Sequence, residues 1–380
     1  MKQEFDVVVV GQGVVGLAHA YAAARAGMSV AVVDRHKRAL GASIRNFGFV
    51  TVTGQARREM WSLAMRARDI WAGVAPQAKI DVVQTGLNVF AHRREAAEVL
   101  ADFLETEMGE HCQLTSAKAW RGANPHLDVS PFEAVLQSPH ELRVEARDAI
   151  PLLRSWLERA QGVRFLDPAD VIGCDAGRVE TTRGVLSAGA VFICPGDDLN
   201  GLFPYVMARR QVTRCKLHML RLAPPGVKLP APVMADLSLI RYEGYAELPS
   251  AAALRRRIEA ERGDMLAAGI HLIAVQSADG SLVVGDTHEY GDSPTPFQPA
   301  DKDELMLAAL RDTLPGLPAQ PVERWIGVYA SSPQGPWFSE EVRPGVHMTV
   351  ITCGAGMSTA FAIAEQVVSR ALNVTLAEAA

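Results

Sequence analysis

The fold is decided by the stretch DVVVVGQGVVG at residues 6–16. Its unbroken apolar run predicts a strand that is buried on both faces of a parallel sheet. Three glycines follow in the spacing GxGxxG, and the Ala-rich segment 17–25 predicts a helix directly after them. The apolar run at 29–33 predicts a second strand, which ends at Asp34. This order of strand, glycine turn, helix, strand and acidic residue indicates a βαβ unit that binds a dinucleotide.

Each glycine of this turn has a separate physical task in such a unit. Gly11 permits the tight turn, Gly13 lets the backbone approach a pyrophosphate, and Gly16 allows the helix to pack closely on the strand. The N-terminus of the helix presents N–H groups and a positive dipole end to the phosphates. Asp34 lies 18 residues after Gly16, where a carboxylate can accept a hydrogen bond from a ribose hydroxyl.

Length and composition indicate the class of protein. The 380 residues are too many for one small core and predict two domains, interleaved if the nucleotide unit is discontinuous. A net charge of −5 provides no basic field for nucleic acid, and no apolar run approaches the roughly 20 residues of a membrane span. The chain enters its first strand at residue 6, which leaves no room for a signal peptide, so we predict a cytoplasmic enzyme. The five cysteines lack metal-ligand or disulfide spacing, and we predict no metal site.

The middle of the chain has the patterns of an antiparallel domain. Residues 80–90 predict two strands around a turn at Thr85-Gly86. Residues 178–186 predict a hairpin, residues 190–196 predict a further buried strand, and strand-type runs fill 211–245. The last strand and helix of the chain repeat the pattern of its start. The sequence therefore predicts a discontinuous nucleotide domain with a second domain inserted into it.

Five segments occur in the order that one known family has them. They are Asp6–Asp34, GASIRNFG at 41–48, AVFICPG at 190–196, LVVGDT at 282–287 and GAGMS at 354–358. With these segments the whole chain resembles the FAD-dependent D-amino-acid oxidase superfamily, in the branch that holds glycine oxidase and sarcosine oxidase. The resemblance implies an α/β fold of two domains, a Rossmann-like FAD-binding domain and an inserted, mostly antiparallel β substrate domain.

The resemblance also implies how the chain divides between these domains. The segments 1–75, 148–210 and 321–380 are predicted to form the discontinuous FAD-binding domain. The segments 76–147 and 211–320 are predicted to form the substrate-binding domain.

The resemblance implies FAD as the cofactor, held without a covalent bond. Cys353 does not stand at the position that carries the covalent link in sarcosine-oxidase relatives. The helix that follows GAGMS is expected to direct its N-terminus at the flavin, where N–H groups stabilise the negative charge of the reduced ring. The predicted cofactor site consists of Gly11, Gly13, Val14, Val15, Gly16, Asp34, Arg35, Ser43, Arg45, Asn46, Phe47, Gly48, Gly196, Gly354, Gly356, Met357 and Ser358.

Two further segments resemble a subgroup that is associated with aminophosphonate catabolism. They are SIRNFGF at 43–49 and WIGVYASS at 325–332. This resemblance implies oxidation of the C–N bond of a small amine such as N-methyl-2-aminoethylphosphonate, by hydride transfer to flavin N5. Hydrolysis of the imine then gives an aldehyde, phosphonoacetaldehyde, and an amine, with O₂ reduced to H₂O₂.

One departure from the glycine-oxidase pattern supports a substrate other than an α-amino acid. Those enzymes hold the substrate carboxylate with an arginine after the tryptophan-containing strand, but no arginine occurs here between Arg324 and Arg343. A phosphonate would require several donors around it. The candidates for binding the substrate are Arg45, Asn46, Arg241 and His271, and those for shaping the reacting centre are Tyr242, Tyr245, His288 and Tyr329.

Several alternatives stay open at this point. Arg241 can equally be a solvated strand residue, and His271 a core histidine. The segment 282–285 lacks the lysine that related oxidases place beside the flavin, so the sequence leaves the electron acceptor undecided between O₂ and another oxidant. The competing functions are a glycine- or sarcosine-type oxidase, a 2-hydroxy-acid dehydrogenase and a flavin-binding module without activity. The sequence gives no oligomeric state.

Overall fold

The computed structural model describes residues 3–376 of the chain. Its strands in chain order are β1 (Gln3–Val10), β2 (Val30–Val33), β3 (Phe49–Val50), β4 (Val82–Ala91), β5 (Gln113–Ser116), β6 (Ala134–Val144), β7 (Arg164–Leu166), β8 (Val171–Asp175), β9 (Arg178–Thr181), β10 (Gly184–Ile193), β11 (Thr213–Leu222), β12 (Val233–Ala235), β13 (Ile273–Gln276), β14 (Leu282–Gly285), β15 (Glu289–Gly291), β16 (Pro321–Ser331), β17 (Trp337–Arg343) and β18 (Val346–Ile351).

The helices lie mainly on the faces of two sheets. They are α1 (Val14–Arg25), α2 (Glu59–Gln77), α3 (Arg94–Leu104), α4 (Ala117–Ala123), α5 (Ala146–Ala160), α6 (Pro204–Arg209), α7 (Asp236–Leu239), α8 (Glu243–Ala246), α9 (Ala251–Ala267), α10 (Ala300–Thr313) and α11 (Gly356–Leu372). Within the described residues, no helix is both long enough and apolar enough to span a bilayer.

The first sheet has the strand order β17-β18-β10-β1-β2-β7, with the β8–β9 hairpin attached to the start of β10. The pairs β1–β10, β1–β2, β10–β18 and β2–β7 are all parallel. Val7, Val8 and Val9 have no exposed surface, because helices or loops cover both faces of β1. This sheet is the predicted Rossmann-like unit, and the ends of its parallel strands point to one edge.

Helices α1, α2, α5 and α11 pack together against the first sheet. Trp71 of α2 meets the ring of Phe361 of α11 edge-on at 5.0 Å, and Tyr21 of α1 contacts the same phenylalanine at 5.7 Å. The Trp71 Nε1–H also donates to the carbonyl of Met357 at 2.9 Å, which fixes the first turn of α11. This packing sets where the N-terminus of α11 points.

The second sheet has the order β15-β11-β14-β13-β12-β4-β6-β3, with β16 paired to β11 and β5 paired to β6. Its pairs are antiparallel except for β12–β4. Helices α3, α7, α8 and α9 cover one part of it. Leu87, Phe103, Leu254 and Val275 are almost fully buried in the core between them. The mostly antiparallel character that the sequence predicts for the second unit is present.

One predicted turn is corrected by the structure and another is confirmed. Residues 82–91 form the single strand β4, because Gly86 (φ +73°) makes a bulge against β6 instead of reversing the chain. The hairpin predicted at 178–186 is present, since β9 pairs antiparallel with the start of β10, but its second arm continues without a break to residue 193 and is one strand with the predicted core strand. Within 211–245, the stretch after β12 folds into the short helices α7 and α8 instead of a strand.

Strand pairing also departs from the predicted division of the chain. β16 opens the segment 321–380, which the sequence places in the FAD-binding domain, but it pairs with β11 of the second sheet from Thr213↔Ser331 to Leu222↔Pro321. β3, within 1–75, likewise pairs with β6 of the second sheet. Ladder hydrogen bonds to distant strands decide these positions, and no local pattern of the sequence reports them.

Candidate active site

A cavity of about 1420 Å³ lies between the strand ends of the first sheet and one face of the second. Binding sites for small molecules usually measure about 300–1,000 Å³, so this space has room for a large and a small molecule together. Gly16, Gly48 and Tyr245 are predicted site residues that do not line it. The predicted residues that line it are Gly11, Gly13, Val14, Val15, Asp34, Arg35, Ser43, Arg45, Asn46, Phe47, Gly196, Arg241, Tyr242, His271, His288, Tyr329, Gly354, Gly356, Met357 and Ser358.

The glycine turn after β1 leaves no room for side chains. Gly11 has φ +108°, and a Cβ there would lie 2.5 Å from the carbonyl oxygen of Cys194. A Cβ on Gly16 would lie 1.8 Å from the carbonyl oxygen of Gly11. Gly16 therefore shapes the turn by packing, although it does not line the cavity. The Val14 N–H donates to the Ser43 hydroxyl at 2.9 Å, so Ser43 ties the following loop to the start of α1.

The acidic residue at the end of β2 holds two backbone segments. One oxygen of Asp34 accepts the Gln12 N–H and the other accepts the His36 N–H, each at 2.8 Å. Each carboxylate oxygen has further acceptor capacity, which suits a ribose hydroxyl at the cavity edge. The neighbouring Arg35 forms ion pairs with Asp198 and Asp170 instead of pointing alone into the cavity.

The loop at 41–48 forms a single 3₁₀ turn, Ala42–Ile44. The Asn46 side chain closes this loop, because its Nδ2–H donates to the Ala42 carbonyl at 2.8 Å and its Oδ1 accepts the Gly48 N–H at 2.6 Å. Asn46 therefore holds the loop together, and because it also lines the cavity its role in binding the substrate stays a prediction. A Cβ on Gly48 (φ +67°) would lie 1.8 Å from the Val144 carbonyl oxygen, which explains its glycine.

The N-terminus of α11 reaches the cavity with its first residues. Gly354, Gly356, Met357 and Ser358 all line the cavity wall. The Ser358 hydroxyl accepts the Thr51 N–H at 2.8 Å, so it joins α11 to the chain that leaves β3. Seventeen residues of helix stand behind this end, and their dipole favours negative charge in front of it.

A second group of polar side chains lies at the wall formed by the second sheet. An Nη of Arg241 donates to the Tyr290 hydroxyl at 3.0 Å, and no carboxylate of residues 3–376 lies within ion-pair distance of its guanidinium. Tyr329 stands opposite Cys215 in the β11–β16 pair, and its ring lies beside Gly354. Tyr242 meets the ring of His271 edge-on at 5.4 Å.

Asp286 lies between two histidines on this wall. Its Oδ1 is 3.0 Å from Nε2 of His271, and its Oδ2 is 3.9 Å from Nε2 of His288. The two imidazole rings are stacked with their centroids 5.2 Å apart. The other nitrogen of His288, Nδ1, contacts the Gly269 carbonyl at 2.8 Å. Because a carbonyl can only accept, Nδ1 carries the proton and Nε2 is left as an acceptor.

Burial decides the charges of this group. It lowers the pKa of His288 to about 3, and it also lowers the pKa of His271 against the opposite effect of Asp286. Burial alone would raise the pKa of Asp286, but His288, His271 and Arg241 outweigh burial and lower it. The histidines are therefore neutral and Asp286 is ionised near neutral pH.

The same three side chains are the group in the described part of the chain that could hold a metal ion. Their ligand atoms lie within 4.8 Å of one another. Two histidines and a carboxylate form a donor set of the kind that binds divalent metals. The charge of Arg241 acts on both Asp286 and His271, and it opposes a second positive centre there. The absence of a metal stays a prediction.

Tyr245 is placed away from the reacting centre. It has no exposed surface and packs against the ring of Phe103 at 4.7 Å, in the core beneath α3. Tyr242, at the start of the same turn α8, lines the cavity, whereas Tyr245 does not. The prediction that Tyr245 shapes the reacting centre is wrong, because a side chain in this core cannot contact a molecule in the cavity.

Sequence reasoning missed Asp286 and Tyr290. Asp286 and His288 follow the end of β14 at a spacing of two residues, and this period in extended chain directs two side chains to the same side. His271 precedes β13, the strand that pairs with β14 and brings the two ends together. The alternation alone signals the pair 286 and 288, whereas only strand pairing adds His271.

The family follows from the model of the FAD-dependent oxidoreductases, known as the DAO family, which matches residues 6–370. The chain belongs to this family. Glycine oxidase from Geobacillus kaustophilus has a similar structure, with a TM-score of 0.78, 19% identity and 99% of each chain covered. L-proline dehydrogenase from P. horikoshii gives a TM-score of 0.77 at 18% identity, over 97% of this chain and 93% of that one. No curated protein matches.

A third similar structure is the dithionite-reduced L-α-glycerophosphate oxidase from Mycoplasma pneumoniae with FAD bound. Its TM-score is 0.73 at 16% identity, with 99% of this chain and 97% of that chain covered. At these identities the likeness shows the fold, and it confirms the predicted two-domain α/β class. The protein is an FAD-dependent oxidoreductase, as predicted.

The residues present fit FAD. The turn at Gly11 and Gly13 leaves the space that side chains would fill, and Asp34 stands at the ribose end of the cavity. The N-terminus of α11 lines the same cavity. Gly11, Gly13, Asp34 and Ser43 would hold the nucleotide half, and Gly356, Met357 and Ser358 the flavin half.

Proposed function

We propose that this FAD-dependent oxidoreductase oxidises the C–N bond of a small zwitterionic amine, with an N-alkylated aminophosphonate such as N-methyl-2-aminoethylphosphonate as the substrate. The observation that carries the proposal is the pairing of Arg241 and Asp286 on one wall of the cofactor cavity. A cation without a carboxylate partner and a buried carboxylate lie close enough for each charge to affect the other. This arrangement is complementary to a short molecule with a negative and a positive end.

The anionic end of the substrate would bind at Arg241. The guanidinium presents several donors in a plane and suits a phosphonate or a carboxylate. The hydroxyls of Tyr290 and Tyr329 line the same part of the cavity and supply further donors. A phosphonate has three oxygens to satisfy, so several donors around one site favour it over a carboxylate.

The chain supplies orientation and electrostatics to the reaction. FAD, when bound, accepts a hydride from the carbon beside the substrate nitrogen. The N-terminus of α11 stabilises the negative charge that this transfer delivers. The walls of Tyr242, Tyr329 and His271 hold the carbon in place and keep water away from it. The imine product is then hydrolysed to phosphonoacetaldehyde and methylamine, and O₂ is the proposed oxidant that restores the cofactor.

A glycine- or sarcosine-type amino-acid oxidase is the second candidate. A single arginine with a bidentate fork is sufficient to hold a carboxylate, and Arg241 offers such a fork. Glycine oxidase is also the activity of two proteins with this fold, from Geobacillus kaustophilus and Bacillus cereus ATCC 14579.

Anaerobic reduction of the bound flavin tests the proposal directly. The purified enzyme is mixed with N-methyl-2-aminoethylphosphonate, 2-aminoethylphosphonate, glycine, sarcosine or 2-hydroxyglutarate, and the visible flavin band is followed. We expect fast bleaching with an aminophosphonate only, then recovery of the band and formation of H₂O₂ when air is admitted. Fast bleaching by glycine, sarcosine or 2-hydroxyglutarate instead would contradict the proposed substrate, and recovery only with another oxidant would contradict O₂.

A further inference from the structure

One oxygen of the Asp286 carboxylate has no hydrogen-bond donor in the described structure. The side chain is 6% exposed, and its Oδ1 lies 3.0 Å from Nε2 of His271. Its Oδ2 accepts no hydrogen bond from residues 3–376 and faces Nε2 of His288 at 3.9 Å. A buried carboxylate with unused acceptor capacity is unfavourable until a donor reaches it. The cavity is the side from which such a donor can arrive, because Asp286 lines it.

His288 presents a second acceptor beside this carboxylate. Its Nδ1–H is held by the Gly269 carbonyl, so the atom that faces Asp286, Nε2, carries a lone pair and no proton. An acceptor that faces a carboxylate at 3.9 Å forms no hydrogen bond with it. Both groups can therefore accept hydrogen bonds from a bound molecule.

We propose that Asp286 and His288 form the subsite that receives the amino group of the substrate, which gives Asp286 a role that the sequence did not reveal. The inference rests on the proposed oxidation of a small amine and adds to it the residues that select the nitrogen. The substrate binds as a protonated secondary amine, and its two N–H bonds are directed one to each acceptor. Because only the neutral amine can release a hydride, one of these protons passes to the acceptor that it faces, Asp286 or His288, before the C–N bond is oxidised. If the substrate nitrogen lies at an ordinary hydrogen-bond length from both acceptors, the acceptor–nitrogen–acceptor angle is about 90°, which is near the tetrahedral angle of an ammonium group.

This subsite fixes the direction of the substrate in the cavity. With its nitrogen at Asp286 and its anionic end at Arg241, the short chain between them has one orientation along the wall. His271 supports this arrangement from behind, where its Nε2 contacts the other oxygen of Asp286 at 3.0 Å. Arg241 has no carboxylate of residues 3–376 within ion-pair distance, and its hydrogen bond to the Tyr290 hydroxyl leaves further N–H groups for the anion.

Two ligands of equal shape separate binding of the nitrogen from binding of the rest of the molecule. N-methyl-2-aminoethylphosphonate has an amine in its chain, and n-butylphosphonate has a methylene group at the same place. Dissociation constants are measured anaerobically, from the perturbation of the flavin spectrum for n-butylphosphonate and from the concentration dependence of reduction for the amine. Calorimetric titration of the same holoenzyme provides a second value for n-butylphosphonate and, where the amine does not reduce the flavin, the value for the amine.

We expect Asp286→Asn and His288→Phe each to raise the dissociation constant of the amine at least about 10-fold. The dissociation constant of n-butylphosphonate should rise less than about 3-fold. His288→Gln, whose amide oxygen can accept a hydrogen bond, should recover part of the loss. Asp303→Asn is the matched control, since Asp303 is also buried and lies 4.0 Å from a histidine, His218, but outside the cavity. It should change neither constant. FAD content and thermal unfolding establish that each variant is folded.

The outcomes separate the subsite from the function. If Asp286→Asn lowers the affinity for both ligands equally, the proposed subsite is wrong, because Asp286 would then only maintain the shape of the cavity. Binding of one equivalent of Zn²⁺ in equilibrium dialysis, lost in Asp286→Asn, would also overturn it in favour of a metal centre. If no amine bleaches the flavin but calorimetry still shows the amine weakened selectively, the oxidation is wrong and the subsite stands. If the amine bleaches the flavin equally well in both variants, the subsite is wrong and the oxidation stands.

Discussion

The Asp34 carboxylate accepts a hydrogen bond from the Gln12 backbone N–H at 2.8 Å. This bond joins the end of β2 to the middle of the glycine turn, 22 residues earlier in the chain. A second bond, from the His36 N–H, fixes the carboxylate itself. The residue that the sequence assigns to the ribose therefore also holds the turn that approaches the pyrophosphate, so one side chain positions both halves of the nucleotide site.

Replacing Asp34 with Ala should weaken the binding of FAD by more than the loss of a ribose contact alone would. The Gln12 N–H loses its partner, and each lost bond to a charged acceptor is worth about 1.5–3 kcal/mol. We expect a loss of about 100-fold or more in FAD affinity, measured by titrating apoprotein and following flavin fluorescence. Asp175→Ala is the control, because Asp175 also accepts a backbone N–H but lies on the exposed β8–β9 hairpin. Similar losses in both variants would contradict the prediction.

Gly16 should be the least replaceable glycine of the turn. An alanine Cβ there would meet the Gly11 carbonyl oxygen at 1.8 Å, so β1 and α1 must move apart. Such overpacking costs about 1–3 kcal/mol or more. We expect Gly16→Ala to lower the free energy of unfolding in denaturant by at least that amount. Gly263→Ala, beside the kink of α9 at Arg262 and with nothing within 4 Å of the new Cβ, should change it by no more than about 1 kcal/mol. Equal effects would show that packing at Gly16 is not tight.

The sequence predicts the nucleotide unit well because its signals are local. An unbroken valine run, a glycine turn and an acidic residue follow one another within the first 34 residues, and each reports a nearby structural need. The position of β16 has no such signal, because it depends on ladder bonds to β11 about a hundred residues earlier. Tyr245 was misplaced for a related reason. Tyr242 and Tyr245 are neighbours in sequence, and only the packing of α8 on α3 decides which of them enters the core.

The polar groups of the cavity show the same limit. Arg241 was one candidate among several, and only the structure shows it beside Asp286 and His271. Asn46 carries chemistry that suits a ligand, but one N–H and one oxygen lone pair of its amide already serve its own loop. Residue type indicates what a side chain can do, whereas its partners decide whether it remains available to do it.

Arg241→Met should selectively weaken the binding of the anionic end of the substrate. A charged hydrogen bond contributes about 1.5–3 kcal/mol, which corresponds to a loss of about 10- to 150-fold in affinity. The dissociation constant of n-butylphosphonate measures this directly, since that ligand has no nitrogen. Arg214→Met tests a second cation of the cavity, whose guanidinium already binds Asp197, and should cost less than about 3-fold. A larger loss for Arg214→Met would place the anion at Arg214 instead of Arg241.

FAD should leave the protein when the chain is denatured. Cys353 lies on the cavity wall, but burial raises the pKa of its thiol to about 11, so it is a weak nucleophile near neutral pH. Precipitation of the enzyme with trichloroacetic acid should release all the yellow colour into the supernatant, as free FAD. Flavin that stays with the pellet, and is lost from the pellet of Cys353→Ser, would instead demonstrate a covalent bond.

The stability of the protein should fall with pH below neutrality in part because of His19. This side chain is fully buried in α1, and burial lowers its pKa from 6.5 to about 4. Between these two values the unfolded chain takes up a proton that the folded chain does not. The contribution of His19 to the free energy of unfolding is therefore fully present above pH 6.5. It decreases as the pH falls toward 4, by up to about 3 kcal/mol in total.

Denaturant unfolding at pH values from 7.5 to about 4, with FAD in excess, measures this slope. His19→Leu should make the slope shallower by up to about 1.4 kcal/mol per pH unit within that window. The slope should not vanish, since burial also lowers the pKa of His271, His288 and His347. His111→Leu, at a position where the side chain is 72% exposed, is the control for replacing a histidine with leucine. An unaltered slope in His19→Leu would mean that His19 is already protonated in the folded protein, and its burial would then require a partner for that charge.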